Sequence, residues 1–227
     1  MRILIDQCSP AIRQIRTMVS WGRWLAIPAA AILLSSCAST SYGPGAGRFH
    51  TVIVDAGHGA HDRGARSVSG KHEKDLALDT ARRLAKILRS KGFHVIETRP
   101  RDRFVTLGNR VNISNRTGNA IFVAIHYNWA DRRGARGIET YYYSNRSHRL
   151  AANIQKRLLG AYPTLNRGVK RRGYYVLRNN RRPAVLCELG FLSNPTDNRY
   201  AQSWLRRQRL AERIAEGIIA EHQGRSP

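Results

Sequence analysis

From Phe49 onward, short apolar runs alternate with longer stretches whose apolar residues recur at helical spacing. Runs such as Ala120–Ile125 predict strands, whereas Glu73–Lys91 spaces its leucines along one helical face and is followed by Gly92 as a stop signal. We predict strands over 51–55, 93–98, 120–125, 137–143 and 184–189, and helices over 73–91, 106–117, 147–162 and 200–222. This alternation is typical of an α/β fold, here a single domain with a mostly parallel, twisted sheet flanked by helices.

A different pattern precedes this domain. Residues 24–34 are mostly apolar, arginines come before them, and Leu34-Ser35-Ser36-Cys37 follows. The apolar run is too short for a membrane span and matches the core of a signal peptide. The Leu-Ser-Ser-Cys motif resembles the bacterial lipobox, which implies cleavage before Cys37 and acylation of that cysteine. The alternative is a plain secretory signal with an incidental cysteine. Translation from Met18 would give a signal of normal length.

These patterns divide the chain into three parts. Residues 1–36 form the predicted lipoprotein signal peptide, the Gly/Pro-rich residues 37–48 a flexible tether, and residues 49–223 the α/β domain. We therefore expect an exported, periplasmic protein held to a membrane by a lipid on Cys37. Ala38 after the cysteine resembles the residues that direct lipoproteins to the outer membrane.

Charge bears on the choice of partners. The 227 residues include 39 Lys+Arg and 15 Asp+Glu, a formal net charge of +24, and 33 of the basic residues are arginines. Such a chain attracts nucleic acid, anionic lipid or acidic wall polymer, and the alternative is a generally basic surface without one specific partner. The densest run of basic residues is Arg167–Arg182, and we predict that this segment forms a loop beside a cleft. A hydrophobic fraction of 42% excludes a wholly disordered chain, and three cysteines exclude a disulfide scaffold.

Polar side chains lie at the carboxyl ends of three of the predicted strands: His58, His126 and Glu188. Because sites in open α/β sheets form at the carboxyl ends of strands, we expect these side chains to lie close together. Two neutral imidazoles there suit Zn²⁺, and Glu73, at the start of the first helix, is the candidate third ligand. The alternative to metal binding is that each histidine makes a hydrogen bond with a purely structural role. Three further residues compete for these positions: His61, His72 and Glu139.

Three neighbouring residues need interpretation as well. Asp55 either orients a ligand imidazole or makes a turn or cap hydrogen bond. Asn128 either faces the cleft to bind substrate or caps a loop. Cys187 precedes Glu188, and side chains alternate along a strand, so we expect its thiol in the core and not as a nucleophile.

Seven segments in order carry a family resemblance. They are Ile53–Gly59, Glu73–Leu76, Thr98-Arg99, Leu107–Arg110, Val123–Asn128, Gly137–Tyr142 and Val185–Asn194. Together they resemble the zinc-dependent N-acetylmuramoyl-L-alanine amidases of the bacterial cell wall (the Amidase_3 type), over roughly residues 50–222. The resemblance implies hydrolysis of the amide between the lactyl group of muramic acid and L-alanine in peptidoglycan. It also implies His58, Glu73 and His126 as zinc ligands and Glu188 as the catalytic glutamate.

The resemblance also bears on regulation. Division-associated relatives carry a long insertion with an inhibitory helix, whereas only 40 residues separate Tyr143 from Ala184. We therefore expect a cleft that is open without an activator. As a separate expectation, the protein is a monomer. A non-catalytic peptidoglycan- or polyanion-binding protein on the same fold is the alternative, against which the presence of all four site residues argues. Specific nucleic-acid binding is disfavoured by the export signal and the lack of a recognition motif.

Overall fold

The structure, a computed structural model, describes residues 45–132 and 134–227. The predicted signal peptide, the predicted acylation at Cys37, the predicted start at Met18 and the first part of the predicted tether lie outside these residues. Within the described part of the chain, no helix combines the length and the apolar character needed to cross a bilayer.

A six-stranded sheet forms the middle layer of the domain. Its strands are β1 (Thr51–Ala56), β2 (His94–Glu97), β3 (Ala120–Asn128), β4 (Ile138–Tyr142), β5 (Asn166–Arg171) and β6 (Ala184–Phe191). They lie in the order β2-β1-β3-β6-β4-β5. The first four strands in this order run parallel, whereas β4 runs antiparallel to β6 and parallel to β5. The predicted mostly parallel sheet is confirmed.

Helices cover the two faces of the sheet unequally. In the described chain they are α1 (Glu73–Ser90), α2 (Leu107–Asn115), α3 (His148–Leu158), α4 (Tyr175–Arg178), α5 (Pro195–Gln202) and α6 (Trp204–His222). Helices α1, α3 and α6 bury residues such as Val52 and Val185, whereas the shorter α2 and α4 cover Ile53 and Leu186 on the other face. Because both faces of the sheet are buried, the sequences of its strands are continuous apolar runs and do not alternate between apolar and polar residues.

Three predicted stretches differ from the structure. The single closing helix is broken at Ser203, whose extended backbone (φ −76°, ψ 119°) ends α5 and whose hydroxyl accepts from the N–H of Arg206 to start α6. The run Arg167–Arg182 is not a plain loop, because it pairs with β4 to form β5 and then turns into α4. Strand β3 extends to Asn128, so His126 lies within a strand and not after it.

Candidate metal centre and active site

The sheet face covered by α2 and α4 carries the site. His126 on β3 is paired in register with Glu188 on β6, and Glu188 is paired with Glu139 on β4. Their strand neighbours, such as Ile125 and Cys187, point into the core beneath α1, α3 and α6. Because side chains alternate along a strand, the three polar side chains emerge together on the opposite face.

Two histidines and a glutamate converge on this face. His58 lies in the loop after β1, and Glu73 is the first residue of α1. Oε2 of Glu73 lies 3.0 Å from Nε2 of His58, and Oε1 of Glu73 lies 2.9 Å from Nδ1 of His126. One donor atom from each residue lies within 4.8 Å of the other two. The structure thus brings together the three residues predicted as metal ligands.

Two glycines allow this close approach. A Cβ at Gly57 would lie 2.3 Å from Cε1 of His126. A Cβ at Gly64 would lie 2.7 Å from both Oε2 of Glu73 and Cδ2 of His58. Gly64 also has φ +64°, a left-handed conformation that other residues rarely adopt. Any side chain at either position would therefore displace a member of the trio.

Glu73 is held as an ionised carboxylate. The backbone N–H of Tyr127 donates to its Oε1 at 3.1 Å, and the N–H of Ala65 donates to its Oε2 at 3.0 Å. Burial alone would raise the pKa of Glu73, but its hydrogen bonds with His126 and His58 lower that pKa far below the usual value. A carboxylate and two imidazoles form the His₂Glu donor set of catalytic zinc sites with three protein ligands. The residues present therefore fit a zinc ion.

Asp62 orients one of these imidazoles. Its Oδ1 lies 2.8 Å from Nδ1 of His58, the ring nitrogen that does not face Glu73. Burial lowers the pKa of His58, but the bonds with Glu73 and Asp62 outweigh it and raise the pKa above its usual value. A carboxylate on the second nitrogen of a metal-ligating histidine fixes the ring and its tautomer. The sequence analysis did not identify Asp62; its only signal is a carboxylate four residues after His58.

Asp55 has a structural role. Its Oδ1 accepts hydrogen bonds from Oγ1 of Thr98 at 2.5 Å and from Nη1 of Arg110 at 2.6 Å. Arg110 also donates to the carbonyl oxygens of Ala56 at 2.6 Å and His58 at 2.7 Å. This network ties α2 to the loop that carries His58. Of the two interpretations of Asp55, the structure favours hydrogen bonding that fixes the backbone over orientation of an imidazole.

Glu188 lies beside the trio with an unused oxygen. Its Oε2 is buried and has no hydrogen-bond partner among the described residues. Burial raises the pKa of Glu188, and repulsion from Glu73 and Glu139 raises it further, well above the usual value. A carboxyl group with an unpartnered oxygen beside a candidate metal centre is placed to accept a proton from a water bound there and to release it again. Glu188 is therefore the candidate general base.

The competing residues make other contacts. The ring of His61 packs against Phe104 with centroids 4.2 Å apart, and His72 precedes α1 without contributing an atom to the trio. Glu139 binds two basic side chains of β5. Asn128 donates from Nδ2 to Oε1 of Glu139 at 2.8 Å, so it supports a neighbouring carboxylate at the edge of the site.

A cavity of about 330 Å³ adjoins His58 and His126. Its apolar wall is formed by Phe104, Leu107 and Val176, which lie before α2, on α2 and on α4. The cavity gives a substrate room directly beside the donor trio.

Cys187 lies on the opposite side of β6 from this site. It is fully buried in the core, and burial raises the pKa of its thiol to about 12. The prediction that this residue packs in the core is confirmed.

The fold and the site together define an α/β protein with a zinc-type donor set next to an unpartnered carboxyl group. Residues 52–220 match the Amidase_3 family, described as N-acetylmuramoyl-L-alanine amidase. The chain belongs to this family, so the resemblance found in the sequence is confirmed at the level of the family.

Individual relatives agree with this assignment. The probable cell wall amidase LytH of Staphylococcus epidermidis is 37% identical over 170 residues, which cover 74% of this chain and 57% of that protein. The chain thus spans little more than half the length of this relative. YqiI of Bacillus subtilis, described as uncharacterized, is 36% identical over 200 residues, covering 86% of this chain and 95% of its own.

Solved structures show the same fold. The N-acetylmuramoyl-L-alanine amidase AmiC2 of Nostoc punctiforme is similar with a TM-score of 0.75 and 36% identity, covering 80% of this chain and 99% of its own. The catalytic domain of the amidase CwlV from Bacillus (Paenibacillus) polymyxa has a TM-score of 0.74 and 33% identity, with 78% and 99% coverage. The single α/β domain predicted from the sequence is confirmed.

Proposed function

We propose that this protein is a zinc-dependent cell-wall hydrolase that cleaves the amide between the lactyl group of N-acetylmuramic acid and L-alanine in peptidoglycan. The observation that carries the proposal is the convergence of His58, Glu73 and His126 beside the unpartnered oxygen of Glu188. Family membership supports the choice of bond. The adjoining cavity supports access of a substrate to the trio.

Each residue has a distinct role in this proposal. His58, Glu73 and His126 would hold the zinc ion, which when bound polarises the substrate carbonyl and acidifies the attacking water. Glu188 takes the proton from that water and passes it to the nitrogen of the departing L-alanine. Protonation is needed because an amine leaves poorly as its anion. Asp62 keeps the His58 ring in place throughout.

A non-catalytic wall-binding protein on the same fold is the second candidate. The net charge of +24 favours attraction to acidic polymers whether or not a reaction follows. A buried carboxyl oxygen without a hydrogen-bond partner lowers the stability of the fold. A protein that only binds the cell wall would gain nothing in return for this cost. The environment of Glu188 therefore favours catalysis.

We further propose that the cleft works without an activator. Between β4 and β6 the described chain forms α3, β5 and α4, and none of these elements contributes an atom to the donor trio. The purified protein should therefore be active alone. A protein that stays inert until a second protein is added would contradict this.

Export and acylation at Cys37 belong to the same proposal, supported by the Leu-Ser-Ser-Cys motif. In bacteria fed labelled palmitate, the full chain should carry the label and a Cys37→Ser variant should not. Equal labelling of both would exclude acylation at this residue.

Purified peptidoglycan is the substrate that tests the reaction. The zinc-loaded full chain should release stem peptides that begin with L-alanine, identified by mass spectrometry, and a chelator should abolish their release. Glu188→Gln should still bind zinc but lose about 100- to 10,000-fold in rate. Glu212→Gln, which removes an exposed carboxylate on α6, is the matched control and should keep full activity. Intact stems from a folded, zinc-containing sample would contradict the amidase function.

A further inference from the structure

Two basic side chains of β5, Arg167 and Lys170, lie next to the candidate active site; we call them the β5 cation pair. Oε2 of Glu139 accepts hydrogen bonds from Nε of Arg167 at 3.1 Å and from Nζ of Lys170. Glu139 is in turn paired in register with Glu188. A row of ionisable side chains therefore crosses three adjacent strands, from Glu188 on β6 through Glu139 on β4 to the cation pair on β5.

The backbone of β5 is shaped to present Arg167. Two residues of β5, Arg167 and Gly168, lie opposite the single Glu139 of β4, which makes a bulge in the pairing. Gly168 has φ +82°, a left-handed conformation that glycine adopts without strain. Bulges redirect side chains and recur beside active sites. The guanidinium of Arg167 also lies over the ring of Phe191, 4.8 Å from its centroid, so its position is fixed from two sides.

The two positive charges of the β5 cation pair exceed the single negative charge of Glu139. The Glu139 side chain is only 2% exposed, and it also accepts hydrogen bonds from the hydroxyl of Tyr141 and the amide of Asn128. One cation would neutralise this carboxylate, yet two are bound. The side chains of Arg167 and Lys170 are 33% and 32% exposed, so both can also contact a ligand that lies over β4. The cluster therefore offers a preorganised net positive charge to an anion.

We propose that the β5 cation pair binds the free carboxylate of the second residue of the peptidoglycan stem, the acidic residue that follows L-alanine. This rests on the proposed amidase function, because it concerns the same cleft. Neighbouring strands lie about 4.8 Å apart, which places β5 roughly 10 Å from β6. Two extended residues span about 7 Å, and the basic side chains reach back toward Glu139 over the remainder. A stem cleaved beside Glu188 and lying across β4 thus brings this carboxylate to the pair.

Two soluble substrates that differ in one group test the subsite. They are N-acetylmuramoyl tripeptides whose second residue is either D-glutamate with a free α-carboxylate or D-isoglutamine, its amide. The full chain should hydrolyse the acid with a kcat/KM about 10- to 100-fold higher, the range typical of hydrogen bonds to a charged group. Lys170→Gln and Arg167→Gln should each reduce this preference by slowing hydrolysis of the acid alone. Arg171→Gln is the matched control, because Arg171 packs on Tyr143 and should leave the preference unchanged.

Each outcome separates the subsite from the reaction. Equal hydrolysis of both substrates by the unmodified protein would overturn the subsite and leave the amidase function standing. Equal slowing of both substrates in Lys170→Gln and Arg167→Gln would show a merely structural role and would also overturn it. Hydrolysis of neither substrate by a folded, zinc-loaded protein would overturn the proposed function and the subsite with it. If Lys170→Gln fails to fold, a Glu139→Gln, Lys170→Gln double variant removes both partners and measures the same preference.

Discussion

Arg110 should matter to stability more than any exposed arginine of this chain. Its side chain is 3% exposed and that of Asp55 is 1% exposed, so the ion pair between them is fully withdrawn from water. Arg110 also donates to the carbonyl oxygens of Val105, Ala56 and His58. The variant Arg110→Met keeps a long apolar stem but removes every donor. In this variant the buried carboxylate of Asp55 and the three carbonyl groups lose the hydrogen bonds from the guanidinium group.

The expected magnitude follows from this burial. Removing one partner of a buried ion pair costs about 3–5 kcal/mol, because the other charge stays buried without compensation. Asp55 keeps its hydrogen bond from Thr98, which places the expected loss near the lower end, about 3 kcal/mol. For a domain of this size, that corresponds to a fall in Tm of about 6–12 °C.

Urea unfolding followed by circular dichroism measures this loss. Arg116→Met, at the exposed end of α2, is the matched control and should change the free energy of unfolding by less than about 0.5 kcal/mol. The double variant Asp55→Asn, Arg110→Met removes the buried charge as well and should recover part of the stability. A loss below about 1 kcal/mol for Arg110→Met, or a double variant no more stable than the single one, would refute the reasoning.

Three further changes have defined outcomes. Asp62→Asn should weaken zinc binding about 10- to 100-fold in a chelator competition, since His58 loses the carboxylate that orients it; unchanged affinity would contradict that role. Gly57→Ala should abolish zinc retention on dialysis, because the added methyl would lie 2.3 Å from the His126 ring; a stoichiometric metal content would show that the ring can move aside. Iodoacetamide should label Cys187 only after denaturation, as peptide mapping would show, because burial raises the pKa of its thiol to about 12; labelling of the native protein would contradict the packing.

Local sequence signals indicate that His58, His126 and Glu188 lie at strand ends and that Glu73 opens a helix, and the family resemblance then selects these four from the competing residues. His126 and Glu188 are polar residues that interrupt apolar strands, and Glu73 opens a helix with clear periodicity. Parallel strands bring such positions to one edge whatever the details of the loops. The break at Ser203 also had a local signal, because serine is a preferred residue before the first turn of a helix.

Other parts of the site depend on contacts that local patterns do not encode. Arg167 and Lys170 meet Glu139 across 28 and 31 positions of the chain, through an edge pairing and a bulge that only the assembled sheet defines. A charge-rich stretch without periodicity therefore resembled a loop. Asp62 lies in an irregular loop, and its contact with His58 requires the turn that begins at φ +61°.

The point where the described chain enters the domain lies at the edge of the sheet remote from the candidate site. The N–H of Ala46 donates to Oε1 of the buried Glu221 at 2.6 Å, near the end of α6, and β1 starts shortly afterwards at Thr51. Strand β1 then runs about 20 Å to the edge that carries His58. An attachment upstream of residue 45, to a resin or to a lipid layer, is therefore connected to the domain at the edge of the sheet remote from the candidate catalytic groups. A protein immobilised by its amino-terminal segment should therefore present an unobstructed cleft to a polymer too large to diffuse around it.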